Sequence, residues 1–262
     1  MTGLGKVDAE AHTISFALPD IAHPAHVMIG GDRSMNPELR RVGENQSPVV
    51  VVDDFSGRLP AIVDLAAAMA PFPRVAGSYY PGLRRLIHEH DEAAFAYARE
   101  TLRAAAAFIG GAFDVDAFDL VEASFSMITA PPATLAPAQR APHFDSTDPD
   151  YIAVLHYLSD TPGTGTAFYR QIATGIEVVD EANISAFVAM AKRDAAVRPA
   201  AYVNGTDAHF EQIGAVEGVP DRLVIYRGNL LHSGIVPPDM SMSGNPRTGR
   251  LTANLFVKGR RG

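Results

Sequence analysis

The 262-residue sequence contains no cysteine. That excludes disulfides, thiolate catalysis and cysteine-ligated zinc or iron–sulfur centres, so any metal must be held by nitrogen and oxygen. It also fits a reducing compartment, and a cytoplasmic location is the expectation. Long apolar runs are missing too. No stretch approaches the roughly 18–20 residues of a membrane span, and residues 1–11 mix polar and charged types without a signal-peptide core. Basic charge is in short supply: 22 Lys and Arg face 30 Asp and Glu, a formal charge of −8. With no basic stripe there is no electrostatic footprint for nucleic acid, and Lys258, Arg260 and Arg261 read as a solvated tail. The expected partners therefore include neither nucleic acid nor membrane.

What is present is an ordinary globular balance, 47% hydrophobic and 20% charged. Residues 48–52 read as a buried strand, and 60–70 as a helix stopped by Pro71 and Pro73. Asp91 is placed to cap a second helix that should end at Gly110-Gly111. Beyond that point the texture turns to strands at 120–128, 151–158, 166–170, 210–216, 223–226 and 251–257, with one helix at 183–196. Helices first and short strands later predict an α+β, mainly β, fold with helices packed outside a β-sandwich or barrel. The expected organisation is one domain over 1–262. Residues 1–118 supply N-terminal strands and supporting helices, and 119–262 form the β core. An insertion at about 171–222 is expected to be a lid or half of a homodimer interface.

Chemistry concentrates in the run Ala141-Pro142-His143-Phe144-Asp145 and in Asn229-Leu230-Leu231-His232. On an extended segment His143 and Asp145 face the same way, because side chains alternate. With His232 from a distant strand they make a set of two histidines and one carboxylate, which leaves coordination positions open and suits non-haem Fe(II) and oxygen. A His–x–Asp arises often by chance, and taken alone His143 reads first as a surface loop histidine after a proline. Arg250 opens the last apolar strand and shares a face with Thr252 and Asn254. A buried arginine is costly without an anion, and its planar fork fits a carboxylate. The other reading is an arginine at a strand mouth reaching solvent. Tyr157 shares a face with Tyr151, Ala153 and Leu155, which allows either a hydroxyl aimed at that carboxylate or plain core. His156 falls on the opposite face and is expected to be structural.

From about residue 139 to 257 the chain resembles the Fe(II)/2-oxoglutarate-dependent oxygenases, closest in pattern to their prolyl-hydroxylase-like branch. His143-Phe144-Asp145 looks like the family's proximal metal motif. Tyr157-Leu158-Ser159-Asp160 followed by Gly163-Thr164-Gly165-Thr166-Ala167-Phe168 is similar to its glycine-turn signature. Leu223 to Tyr226 ahead of His232 is similar to the strand before the distal histidine, and Arg250-Leu251-Thr252 to the Arg–x–Ser/Thr motif.

The resemblance implies a double-stranded β-helix (jelly-roll, cupin-like) core and a dioxygenase. Fe(II) would sit on His143, Asp145 and His232, and 2-oxoglutarate on Arg250, Thr252 and Tyr157. A small molecule or an amino-acid or peptide side chain would be hydroxylated with release of succinate and CO2. The carboxylate at 145 favours hydroxylation over halogenation, for which the family has a small residue there. Two departures stand out. The interval from His232 to Arg250 is long, which makes Arg247 a rival for the cosubstrate, and the segment 171–222 is unusual. Other readings are a cupin-like dioxygenase that does not use 2-oxoglutarate and a non-catalytic binding module. Strand parity adds Arg140, Tyr151, Tyr169 and Asn254 as pocket candidates.

Overall fold

The computed structural model describes residues 15–17, 35–74 and 80–262. Its strands form two antiparallel sheets. The larger runs β1 (Ser15–Ala17), β5 (Ala117–Ile128), β11 (Leu251–Arg260), β6 (Tyr151–Tyr157), β9 (Leu223–Arg227), β3 (Ser47–Val52), β2 (Pro37–Val42), with β4 (Gly82–Leu86) also paired to β5. The smaller runs β10 (His232–Ile235), β7 (Gly165–Gln171), β8 (Phe210–Glu217). Three helices accompany them among the described residues: α1 (Leu59–Ala68), α2 (Glu92–Phe113) and α3 (Ile184–Val197).

Period-two alternation sorts the side chains into layers. Ile152 and Val154 of β6, Leu223 and Ile225 of β9, and Leu251, Ala253 and Leu255 of β11 pack with α1 and α2. The intervening residues Ala153, Tyr157, Val224 and Tyr226 meet Phe168 and Val216 of the smaller sheet. The outer face of the smaller sheet, Ala167 and Tyr169, is covered by Phe187 and its neighbours on α3. The result is a sandwich with helices outside, and the hydroxyl- and charge-bearing inner positions lie toward the β11–β5–β4 side of the larger sheet.

Several local expectations need correcting. Helix α2 does not stop at Gly110-Gly111; it runs to Phe113, which is fully buried, and ends where Asp114 takes a left-handed φ of 56°. Burying an aromatic there outweighs the ~1 kcal/mol that each helical glycine costs. Asp91 occupies the N-cap position, yet its carboxylate accepts from the His88 N–H (2.9 Å) and pairs with Arg85 (2.8 Å) instead of capping. Strands β2 and β4 went unforeseen because their sequences, Pro-Glu-Leu-Arg-Arg-Val and Gly-Leu-Arg-Arg-Leu, are rich in arginine. Within the segment 171–222, the helix expected at 183–196 and the strand expected at 210–216 are present as α3 and β8, and β8 pairs with β7 in the smaller sheet.

Candidate metal centre

The three predicted ligands are brought together by backbone pairing. The His143 N–H donates to the His232 carbonyl at 2.9 Å and the His232 N–H to the His143 carbonyl at 2.8 Å, an antiparallel bridge at the first residue of β10. Two residues on, the Asp145 N–H donates to the Gly228 carbonyl at 2.7 Å, and the Gly228 N–H to the Tyr151 carbonyl at 2.7 Å. The loop carrying His143 and Asp145 is thus stitched to the strand ends of both sheets. Only glycine fits at 228: a Cβ there would lie 2.7 Å from Tyr151 Cδ1 and 3.2 Å from Asp145 Cβ.

One ligand atom from each of His143, Asp145 and His232 lies within 4.8 Å of the others. Nε2 of His232 is 3.6 Å from Asp145 Oδ2, and Nε2 of His143 is 3.9 Å from Asp145 Oδ1. These separations are too long for hydrogen bonds and suit donors converging on a common centre. The Nδ1–H of His232 donates to the Leu230 carbonyl at 2.8 Å, which fixes the tautomer and aims the Nε2 lone pair at the group.

Burial lowers the His232 pKa to about 4 despite the Leu230 bond. His143 is lowered to about 4 by burial and the proximity of His232, against the pull of Asp145. Burial raises Asp145 to about 6, opposed by His143 and Arg84. Both imidazoles are therefore neutral near pH 7, the form a metal requires. The His143 side chain is nonetheless 47% exposed, against 6% for His232, so the site opens to solvent on the His143 side.

Arg250 is buried on the same inner face. Its guanidinium donates Nη2–H to the Gly165 carbonyl at 3.0 Å and sits 5.8 Å from the Tyr157 ring centroid. Its Nε–H has no partner, and no carboxylate pairs with it among the described residues. The hydroxyl of Thr129 is likewise buried and unpartnered among the described residues. Thr252 stands beside the Tyr80 phenol, whose pKa is raised by burial and held back by Arg250. The Tyr157 hydroxyl, at 2.6 Å, is bonded to Thr166 Oγ1 and does not stand free beside Arg250. A strand runs between the two ends of the site: Gly234 follows His232 by two residues on β10, and a Cβ at 234 would lie 3.9 Å from Arg250 Nη2. Arg247, by contrast, is 56% exposed and paired with Asp64.

The pocket candidates divide. Tyr151 stands against Gly228 beside Asp145, and Asn254 lies on the inner face next to Ser124. Tyr169 faces α3 instead, because Thr166 and Phe168 take the inward positions of β7. Arg140 is engaged with the Leu135 carbonyl at 3.0 and 2.8 Å. His156 is structural, as expected, bonded to Tyr97 and Asp221. Sequence reasoning missed Leu230, Gly228, Gly234 and Tyr226, the last edge-on to the His232 ring at 4.8 Å. Gly234 and Tyr226 follow from alternation around His232 and Val224. A backbone carbonyl such as that of Leu230 leaves no trace in residue type.

A protein-family model described as a family of unknown function (DUF6445) matches residues 33–257. No curated protein matches the chain. Among solved structures, the chain is similar to the non-heme alpha ketoglutarate dependent epimerase SnoN from nogalamycin biosynthesis, at 12% identity and TM-score 0.49, covering 83% of this chain and 82% of that one. It is similar to HygX from Streptomyces hygroscopicus with nickel and 2-oxoglutarate bound, at 13% identity and TM-score 0.47, covering 82% and 84%. It is also similar to an N-substituted L-amino acid dioxygenase from Burkholderia ambifaria AMMD, at 14% identity and TM-score 0.43, covering 84% and 93%.

Proposed function

The chain belongs to that family of unknown function, and we propose from its own site that it is a non-haem Fe(II)- and 2-oxoglutarate-dependent oxygenase. In this reading it hydroxylates a small molecule or an amino-acid or peptide side chain, releasing succinate and CO2. In the same reading, the described residues form one oxygenase domain on a double-stranded β-helix core. The carrying observation is a pairing. An open group of two histidines and an aspartate shares one interior with a buried arginine that has no anion among the described residues; Gly234, which lies against Arg250, is two residues along β10 from His232, roughly 7 Å.

The residues fit both groups. His143, Asp145 and His232 offer two neutral nitrogens and a carboxylate, with no hydrogen bond among the three side chains to break first. This donor set selects iron with open positions over closed structural zinc. Arg250 would take the far carboxylate of 2-oxoglutarate through its unpartnered Nε–H, flanked by Thr252 and Tyr80. The absence of a side chain at Gly234 keeps the space between arginine and metal ligands clear.

When bound, iron and 2-oxoglutarate supply the oxidising chemistry, and the protein supplies position and a dry wall. Leu230 holds the His232 ring in place. The Tyr157 ring supports the Arg250 cation, and its hydroxyl is fixed by Thr166. Phe168 and Tyr226 pack edge-on, 5.3 Å apart, and exclude water behind the histidine. Asp145 occupies the carboxylate position of the ligand set, in keeping with hydroxylation.

Anaerobic addition of Fe(II) and 2-oxoglutarate tests the reading. A visible charge-transfer absorbance is expected in the wild type and not in His232→Ala. Bound iron without that band would favour a cupin-like dioxygenase, and no iron at all a binding module.

A further inference from the structure

The inner face of the larger sheet changes character across its width. Over β3 and β9 it is apolar and covered by the smaller sheet. Toward β4 it carries Arg84, Glu122, Ser124 and Asn254. The strand register sets Ser124 opposite Asn254 and Glu122 opposite Phe256, with Arg84 on the neighbouring strand opposite Ser126. Arg84 pairs with Glu122 and donates Nε–H to Ser124 Oγ at 3.0 Å, and its Cζ lies 5.7 Å from the Phe256 ring centroid. Phe256 stacks on Tyr151 at 5.5 Å, and Tyr151 stands against Gly228 beside Asp145. A continuous row of side chains thus joins the charged pair to the metal ligands, and Arg84 is near enough for its charge to bear on Asp145.

Both charged groups keep unused hydrogen-bonding capacity. Nη1 of Arg84 and the second carboxylate oxygen of Glu122 have no partner among the described residues, and the side chains are 21% and 36% exposed. The Asn254 amide, partly exposed beside them, also makes no hydrogen bond among the described residues. A partly buried ion pair contributes little to stability, so folding alone gives weak reason for placing one on the inner face of the sheet. A lone anion approaching Arg84 would be repelled by Glu122, and a lone cation approaching Glu122 by Arg84. A group carrying both signs on adjacent atoms meets both demands.

We infer that Arg84 and Glu122 anchor the carboxylate and ammonium groups of a free α-amino acid, whose side chain runs past Phe256 and Tyr151 toward the metal. The inference rests on the function proposed above and names the substrate class of that site. Arg84 Nη1 takes the carboxylate, while Glu122 and the Asn254 carbonyl oxygen take the ammonium. The oxidised carbon is then on the side chain, remote from the anchored end.

The test is calorimetric binding to protein loaded anaerobically with Fe(II) and 2-oxoglutarate. The probes are L-leucine, L-lysine, L-arginine and L-glutamate, each beside its N-acetyl and carboxamide forms. At least one free amino acid is expected to bind, with about tenfold or greater loss when either end group is blocked. The same loss is expected in Arg84→Gln, in Glu122→Gln and in the double exchange Arg84→Glu with Glu122→Arg. That exchange keeps an ion pair, so its melting temperature should stay near wild type, whereas a purely structural pair would leave binding unchanged.

Binding that survives the exchange, tolerance of both blocked forms, or no binding by any free amino acid would each overturn the inference. The charge-transfer band reports separately on the parent reading. Its presence in wild type together with any of those results sinks the anchor alone.

Discussion

His156 and His232 are both buried imidazoles with an aspartate at hand, on opposite faces of the sandwich core. At His156 every polar atom is matched. Nε2 lies 2.9 Å from Asp221 Oδ1, and Nδ1 lies 2.9 Å from the Tyr97 hydroxyl. Asp221 also accepts from the N–H groups of Ser56 (3.1 Å) and Gly57 (2.7 Å). At His232 the aspartate stands 3.6 Å from Nε2, beyond hydrogen-bond reach, and the only ring bond among the described residues is to the Leu230 carbonyl. The first arrangement closes a network within the protein, as buried polar groups must. The second holds its lone pairs apart and toward one another, an arrangement that becomes favourable only when a cation arrives. Residue type does not separate a structural His–Asp pair from a metal centre. Separation does, together with where the other ring nitrogen is satisfied.

Removing a residue from each constellation should therefore have opposite consequences, and the largest effect is on the open one. His232→Ala and Asp145→Ala are expected to reduce turnover to background and abolish stoichiometric iron, measured by metal analysis, while the metal-free proteins melt close to wild type. His156→Ala should do the reverse. Leaving Asp221 buried without its partner is expected to cost about 3–5 kcal/mol, or roughly 6–20 °C in Tm for a chain of this size, with iron stoichiometry of the folded protein unchanged. A His156→Ala variant that loses iron and keeps its Tm would break the distinction.

The next effect lies at the far end of the site and separates two nearby arginines. Arg250→Ala is expected to raise the KM for 2-oxoglutarate by about 10–100-fold, the scale of one charged hydrogen-bonding partner, with iron still bound. Arg247→Ala, at an exposed pair with Asp64, is expected to leave that KM within about twofold. Equal effects from the two would remove Arg250 from the cosubstrate role.

Alternation made the layering legible. The inward set of Tyr157, Thr252 and Asn254 and the outward His156 follow from period two, and each is where the strand pattern puts it. His143, Asp145 and His232 stood out because two ligands share one extended segment. What was illegible depends on partners far apart in sequence. Arg84 lies in a strand whose two arginines hid its extended pattern, and its place beside Glu122 and Phe256 comes only from pairing to β5. The helix through Gly110-Gly111 is held by burial of Phe113, a tertiary effect that overrides local propensity. Tyr169 was misplaced because one residue of phase on β7 decides between the pocket and α3.

The smallest effect expected concerns acid and the closed network. Burial works to raise the Asp221 pKa, but the hydrogen bonds from His156, Ser56 and Gly57 prevail and hold it at about 2. Its stabilising contribution is therefore complete above the ordinary carboxylate value of ~3.9 and is lost as the pH falls toward 2. His156 is lowered by burial against the pull of Asp221, so it folds neutral, and its share fades as the pH drops below its unfolded value of ~6.5. Asp221→Asn isolates the carboxylate. Asparagine tolerates the left-handed φ of 61° at this position, so the backbone turn is preserved while the charge and one of the two acceptor oxygens are lost. Relative to wild type the variant should be less stable by about 1–3 kcal/mol at pH 7, and thermal melts should show the gap closing between pH 4 and pH 2. A gap that stays constant over that range would mean that Asp221 is not ionised in the folded protein. The network would then be a neutral one, and it would differ from the open group, whose Asp145 is ionised near pH 7, in charge as well as in separation.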